Sequence, residues 1–500
     1  MSGEDRGLCL VTGATGYIGG RLVPELLGAG YRVRCLARSP ERLRARPWFG
    51  RVEVVRADVL DAAAVRTALE GVSVAYYLVH ALGSGPGFAE RDRRAARTFG
   101  AAALDAGVGR IVYLGGPAPA EGGHLSEHLR SRAEVGAILL ASGVPTAVLR
   151  AGVVIGSGSA SFEMMRYLTE RLPVMVTPRW VRTRTQPIAV RDVLWYLVGC
   201  AALPPAVNRT FDIGGPDVLT YEEMMRRYAA LAGLPRRLVV RVPVLTAHLS
   251  SLWVGLVTPV PGGLARPLVE SQSNEVVCRE RDIRRFVPDP PGGPTGFDDA
   301  VGLALRRARE AEATTPDSAA APPSDPSPAD PVWAGGTVYA DVRESPVAAP
   351  PDVLWRVIEG IGGDAGWYSW RTAWAVRGGI DRLVGGVGRH RGRRDPHRLR
   401  VGDAVDFWRV EKLVPGASLR LRAEMRLPGL AWLELGVEER GGRTWFRQRA
   451  IFRPHGLFGH LYWWAIRPCH EIVFGGMLRG VRRAAERAAT RAPRSATYAR

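Results

Sequence analysis

The sequence predicts an α/β protein, a doubly wound parallel sheet with a small substrate subdomain, followed by a smaller α+β module. Three observations predict it. Over residues 8–149 short apolar runs alternate with helical patterns at strand–helix spacing, the pattern of a parallel sheet covered on both faces. Residues 314–331, TTPDSAAAPPSDPSPADP, have almost nothing to bury and read as a flexible, locally extended linker. Beyond it tryptophans crowd a segment whose strands alternate apolar and polar residues. Five hundred residues are too many for one ordinary domain. The expected division is 1–313, a linker at 314–331, a second domain at 332–490 and a basic tail at 491–500.

The first strand, residues 8–11, runs into Thr12-Gly13-Ala14-Thr15-Gly16-Tyr17-Ile18-Gly19-Gly20. Glycines three apart permit a tight turn, close approach of a pyrophosphate and close packing of the next helix on the strand. A helix over 17–27 and a strand over 31–37 complete a βαβ unit, so the turn reads as a dinucleotide cradle of the Rossmann type rather than a plain chain reversal. The second strand ends in Cys35-Leu36-Ala37-Arg38, with no acid to take a ribose hydroxyl, and a guanidinium there suits a 2′-phosphate. The expected cofactor is therefore NADP rather than NAD. A strand over 52–56, a helix to 69, a strand over 74–79, a helix over 88–106 and a strand over 111–114 follow. A helix over 126–141, stopped by Gly143, then leads to a strand over 146–149. Ligand should cross the carboxyl ends of these strands, where Asp58, Val79 and His80 sit.

The net charge of +19 would suit an anionic partner, but Lys412 is the only lysine and arginine is spread along the whole chain. Compositional bias explains it better than a nucleic-acid face, and no nucleic-acid partner is expected. The runs at 389–400 and after 479 read as solvated surface. Cys9, Cys35, Cys200, Cys278 and Cys469 are odd in number and scattered, against a disulfide framework or a zinc site. The polar start and the absence of a secretory pattern lead to an expected cytoplasmic location. Residues 242–265 lack Asp, Glu, Lys and Arg, yet prolines and a Gly-Gly pair break them. They read as an apolar helix and loop of the substrate subdomain, with an interfacial helix as the alternative and peripheral membrane contact as its consequence.

Residues 8–311 resemble the short-chain dehydrogenase/reductase superfamily in its extended and atypical, NmrA-like branch. The most specific piece is TGATGYIGG at 12–20; Asp58-Val59 looks like the adenine contact, and LRAGVVIG at 149–156 like the segment after the sixth strand. Residues 187–196, with Asp192, and FDIGGPDVLTYEEM at 211–224 look like the substrate-side half. The resemblance implies a cofactor site at Thr12, Gly13, Thr15, Gly16, Tyr17, Ile18, Gly19, Arg38, Asp58, Val59, Val79 and His80. One departure is chemical. Where the family carries Tyr-x-x-x-Lys, this chain has His128 and Arg132, four apart on one helical face, and Gly115 and Gly116 stand where a Ser is expected. Arg132 stays charged and can hold a ribose but not relay a proton. His128 either serves as acid or base or merely caps the loop before it.

The second domain has tryptophans at 333, 355, 367, 370, 374, 408, 432, 445, 463 and 464. A helix over 351–361, strands in DAVDFWRVEKL, ASLRLRAEMRL, AWLELGVEE and TWFRQRAIF, and a closing helix over 470–489 resemble a START-like, polyketide-cyclase-like helix-grip fold. That resemblance implies a pocket for a flat or lipid-like ligand; the alternative is that the tryptophans are ordinary core. Three function classes follow. One is an NADP-dependent oxidoreductase acting on an apolar small molecule that the second domain binds. The second is a non-catalytic nucleotide sensor, and the third an epimerase or isomerase with tightly held cofactor. Oligomeric state stays open.

Overall fold

The computed structural model describes residues 6–80, 87–116, 126–177, 179–241, 254–255, 257–272, 274–310, 330–331, 333–363, 366–369, 395 and 398–491. The chain divides into two units, Met1–Gly336 and Thr337–Arg500. Residues 333–336, expected at the start of the second domain, make their contacts within the first unit.

The first unit is built from β1 (Leu8–Thr12), α1 (Tyr17–Gly28), β2 (Arg32–Ala37), β3 (Glu53–Arg56), α2 (Ala62–Leu69), β4 (Val72–Tyr77), α3 (Phe88–Asp105), β5 (Arg110–Gly115), α4 (Glu127–Leu140) and β6 (Thr146–Ala151). After these come β7 (Val154–Ile155), α5 (Ala160–Arg171), β8 (Val174–Thr177), β9 (Arg184–Thr185), β10 (Ile188–Ala189), α6 (Val190–Gly199), β11 (Arg209–Ile213), β12 (Leu219–Thr220), α7 (Tyr221–Leu231), β13 (Leu238–Arg241), α8 (Gly262–Ser271) and α9 (Phe297–Glu310). Seven strands form one sheet in the order β11-β6-β5-β4-β1-β2-β3, with every pairing parallel. The order reverses between β1 and β4, so the crevice that binds ligand in such sheets opens there. All five residues of β1 are buried, as a strand covered on both faces requires.

Local chemistry sets the element ends. The Asp61 carboxylate accepts from the Ala63 and Ala64 amides to start α2, Ser126 accepts from the Leu129 amide to start α4, and Thr220 with Glu223 closes a reciprocal cap on α7. The strand expected over 74–79 is β4, two residues earlier: Val72 pairs with Leu8, and Val79 lies beyond the last sheet pair. Residues 242–253 of the apolar run lie outside the described residues, and its end begins α8. Asp192 is buried and accepts from the amide and hydroxyl of Thr295, a tie between α6 and the loop before α9.

The second unit comprises β14 (Tyr339–Val347), α10 (Pro351–Glu359), β15 (Ala404–Val405), β16 (Trp408–Val414), β17 (Ser418–Ala423), β18 (Gly429–Arg440), β19 (Arg443–Pro454) and α11 (Gly456–Arg491). Its antiparallel sheet has the order β14-β19-β18-β17-β16-β15. Inward residues of the sheet, among them Leu421, Leu433 and Phe446, meet Phe474, Met477 and Val481 of α11 in one core. Trp355, Trp367 and Trp408 belong to that core, whereas Trp370 and Trp374 lie outside the described residues. Two expectations need correcting. The strand β14 was not foreseen, and α11 begins 14 residues before the helix expected from residue 470. Gly459 lets that early stretch close on the Pro428 carbonyl, and Phe452 and Tyr339 stack on Trp463 at 5.9 and 4.9 Å, so tertiary packing holds a segment with no polar face to announce it. Of the basic runs, 389–394, 396–397 and 492–500 lie outside the described residues. Among the described residues no helix is long and apolar enough to cross a membrane.

His470 lies against Trp463 and Phe474, with ring centroids 5.0 and 4.7 Å away, and its Nδ1 has no hydrogen-bond partner. Burial pushes its imidazole down to about 4, against the opposing pull of Asp341 and with the help of Arg343. An unfolded chain binds that proton below about 6.5, so stability is complete above this pH and declines as pH falls toward 4. Thermal unfolding of the full chain should show this acid-side decline, and His470→Phe should flatten it; an unchanged pH dependence in the variant would contradict the assignment.

Candidate dinucleotide site

The site begins where β1 ends. The Thr12 hydroxyl donates to the Tyr76 carbonyl (3.0 Å) and accepts from the Leu78 amide (2.9 Å), clamping β1 to the end of β4. Gly13 follows at φ +71°, and a Cβ there would lie 2.5 Å from the Leu78 carbonyl oxygen. A Cβ on Gly19 would run into the Gly13 carbonyl, so α1 packs on the turn at backbone distance. Gly16 is the N-terminal cap of α1 and supplies no side-chain acceptor, which leaves the first amides of the helix to an anion. This cradle, too tight for a Cβ at two of its glycines, fits the pyrophosphate of a dinucleotide.

A cavity of about 800 Å³ runs from this turn past the ends of β4, β5 and β6. Thr15, Gly16, Tyr17, His80, His128 and Arg132 all line it, so the structure brings these expected residues together. Thr12, Gly13, Ile18 and Gly19 do not line it; Thr12, Gly13 and Gly19 shape the turn from behind. Arg38, Asp58, Val59 and Val79 also lie outside the wall. Arg38 is exposed one residue past β2, and the Asp58 carboxylate accepts from the Leu60 amide (2.9 Å) in a turn.

The polar edge of the cavity comes from α4. Arg132 donates to the Leu114 carbonyl, its guanidinium lies 5.8 Å over the Tyr113 ring, and the Tyr113 hydroxyl donates to the Arg132 carbonyl (3.2 Å). His128 meets His80 edge-on at 6.5 Å. Burial, with the Arg132 charge and His80 beside it, pushes the His128 imidazole down to about 3, so the ring is neutral at pH 7. A Cβ on Gly116 would lie 3.0 Å from Leu129 Cδ2 and 3.6 Å from Arg132 Cδ, and one on Gly115 3.1 Å from Tyr113 Cε1. Side chains fill the room a Ser would need.

Sequence reasoning missed Arg42 and Arg46, which join the wall near the glycine turn. Arg46 is buried and donates to the Thr15 carbonyl (3.5 Å), and Trp48 holds the same loop by donating to the Gly20 carbonyl (3.1 Å). The cluster of arginines in RSPERLRAR was the available signal. The far end is apolar, with Val153, Leu264 and Leu268, and Trp333, expected among the tryptophans of the second domain, completes it.

Gly13→Ala should keep the far-ultraviolet dichroism of a folded chain while raising the nucleotide dissociation constant by about tenfold or more, given the roughly 1–2 kcal/mol a side chain costs in the left-handed region. Calorimetric titration that finds unchanged affinity would exclude this turn as the pyrophosphate cradle.

Residues 13–151 match the family described as NAD(P)H-binding, and residues 333–477 match a family described as a protein of unknown function. Cinnamoyl-CoA reductase 1 of Oryza sativa subsp. japonica is 36% identical over 118 residues, which is 22% of this chain and 35% of that protein. The chain thus spans about a third of that relative's length. Ceramide reductase of Caulobacter vibrioides is 29% identical over 279 residues, 53% of this chain and 84% of that protein. Among solved structures, the triphenylmethane reductase of Citrobacter sp. complexed with NADP(H) has 19% identity and a TM-score of 0.47, covering 59% of this chain and 99% of its own. The glycine turn at the switch point of the seven-stranded parallel sheet lies inside the stretch that matches the NAD(P)H-binding family, and the sheet around it has the Rossmann arrangement.

Proposed function

We propose that the chain is a cytoplasmic NADP(H)-dependent oxidoreductase that reduces a carbonyl or conjugated bond of an apolar, lipid-like small molecule. The observation that carries this reading is the pairing, in one cavity, of the His128–Arg132 edge with an apolar far end. The name of ceramide reductase, aligned over most of its length, is in keeping with a lipid-like substrate.

Bound along the glycine turn, the cofactor supplies a hydride. The protein's share is binding and polarisation. His128, neutral at working pH, presents an N–H to the oxygen that gains electron density, as a neutral imidazole electrophile does elsewhere. Arg132 adds a fixed positive charge that no physiological pH removes. His80, exposed beside His128, opens the path by which the oxygen takes its proton from solvent.

This assignment makes two expectations. His128→Gln should leave nucleotide affinity nearly intact and lower turnover by roughly 100-fold, and wild-type kcat/KM should show no inflection near pH 6.5 from His128. An inflection there that vanishes in the variant would mean an imidazolium donor instead. Arg38→Ala should weaken NADP by roughly 10- to 100-fold and spare NAD, since a charge-assisted bond to phosphate is worth about 1.5–3 kcal/mol. Equal losses for both nucleotides would reduce Arg38 to a prop for the strand end.

A second reading, a non-catalytic nucleotide sensor, draws on a specific observation: the Tyr is replaced, the Ser position is filled by Leu129 and Arg132, and His128 is no acid at pH 7. Tight NADP(H) binding with no turnover of any apolar carbonyl would favour it. For the second unit we propose a START-like role in binding the same apolar molecule, supported by its tryptophan-rich sheet; quenching of its fluorescence by a hydrophobic probe tests that role.

A further inference from the structure

The end of the connector between the two domains carries residues that the cavity needs. Of its last part, residues 330, 331 and 333–336 lie along the first unit between the glycine turn and the apolar end of the cavity. At one end Asp330 forms a two-pronged ion pair with Arg21 of α1, Nη1 to Oδ1 at 2.8 Å and Nη2 to Oδ2 at 2.6 Å. The two side chains are only 6% and 4% exposed. The same guanidinium lies 4.2 Å over the Tyr17 ring and donates to the Ser157 carbonyl (3.1 Å). At the other end, the Trp333 carbonyl accepts from the Tyr167 hydroxyl (2.8 Å), and the Gly335 amide donates to Glu163 (3.0 Å). That carboxylate also takes the Gly158 amide and pairs with the buried Arg166.

The segment is therefore tied to both halves of the unit, to α1 beside the nucleotide turn and to α5 beside the apolar end. Asp330, Pro331 and Trp333 all line the cavity, and Trp333, like Leu168, Leu264 and Leu268, packs against the buried cluster of Met164, Val254, Val260, Ala265 and Val269. We propose that residues 330, 331 and 333–336 are the roof of the substrate end of the cavity, with Trp333 the side chain that sets which apolar molecules fit and Asp330, through Arg21, the residue that positions it. This rests on the cavity being the oxidoreductase site proposed above.

The ion pair is what distinguishes a roof from a passing chain. Burying two charges costs several kcal/mol of desolvation per ion before their attraction returns it, and an apolar contact would hold a connector as well. A bidentate carboxylate–guanidinium contact adds geometric specificity that an apolar one lacks. It fixes Asp330 beside the glycine turn, three residues before the indole of Trp333. The substrate class is an apolar molecule whose ring or chain reaches from the His128 edge to the indole and the leucines of α8.

The test uses the full chain with two probes: NADPH, followed by its own fluorescence, and N-phenyl-1-naphthylamine, a neutral apolar fluorophore. Trp333→Ala should abolish one class of naphthylamine sites or weaken it at least tenfold, change NADPH affinity less than twofold, and be largely rescued in Trp333→Phe. Asp330→Asn, which keeps shape and removes charge, should expose the bond after Trp333 to chymotrypsin, while the wild type is protected there. Naphthylamine binding that is absent from the wild type or equal in all three chains, or equal cleavage of wild type and Asp330→Asn, overturns the roof. If NADPH fails to bind the wild type, the oxidoreductase reading falls whatever the naphthylamine shows, so the two failures are distinguishable.

Discussion

The left-handed turn at Gly13 is the constraint on which the first unit depends. With φ at +71° and the Leu78 carbonyl 2.5 Å from where a Cβ would sit, the chain leaves β1 in a direction only glycine takes. That exit puts α1 against the turn through Gly19 and aims its first amides at the crevice between β1 and β4. The Thr12 hydroxyl, bonded to both Tyr76 and Leu78, keeps the two strand ends in step. The cavity, the polar edge and the roof are all placed with reference to this joint.

The chemistry of the polar edge follows from what surrounds it. An imidazole that titrates near neutrality in water is held neutral where burial, a guanidinium and a second imidazole converge. A Tyr–Lys pair works by lowering a phenol pKa beside a cation; a His–Arg pair at the same helical spacing has instead a neutral donor and a permanent charge. The packing agrees with the substitution. Leu129 and Arg132 crowd the space above Gly116 and the Tyr113 ring that above Gly115, so the departures at three positions form one consistent arrangement rather than separate losses.

Charge is used in two different ways in this molecule. Many of the described arginines sit on the surface in pairs that contribute little each, such as Arg66 with Asp105. A few are buried with several partners, and these lie at joints: Arg21 between the glycine turn and residue 330, Arg110 on the carbonyls of Leu203, Pro204 and Val207, Arg166 within α5 and on Tyr228. A guanidinium can satisfy several acceptors at once, which suits places where irregular backbone must be buried. The overall excess of +19 thus says little about partners.

By itself the sequence determined the parallel α/β order, the glycine cradle, the helix bearing His128 and Arg132 on one face, and the existence of a second domain, because each is written in local spacing: period, glycine interval, cap and composition. It also carried the departure from Tyr-x-x-x-Lys, a matter of residue identity. Only the tertiary structure decided that Thr12 braces strands rather than lining the cavity, since its two partners are 64 and 66 residues away. It alone recruited Arg46 beneath the turn and extended α11 back to Gly456, where contacts with Pro428, Phe452 and Tyr339 hold a stretch with no helical polarity of its own. Asp330 and Trp333 are the extreme case. Nothing in a proline- and alanine-rich run marks an acid that will meet Arg21, 309 residues earlier in the chain, because an ion pair of that range is set by the path of the backbone and not by any local pattern.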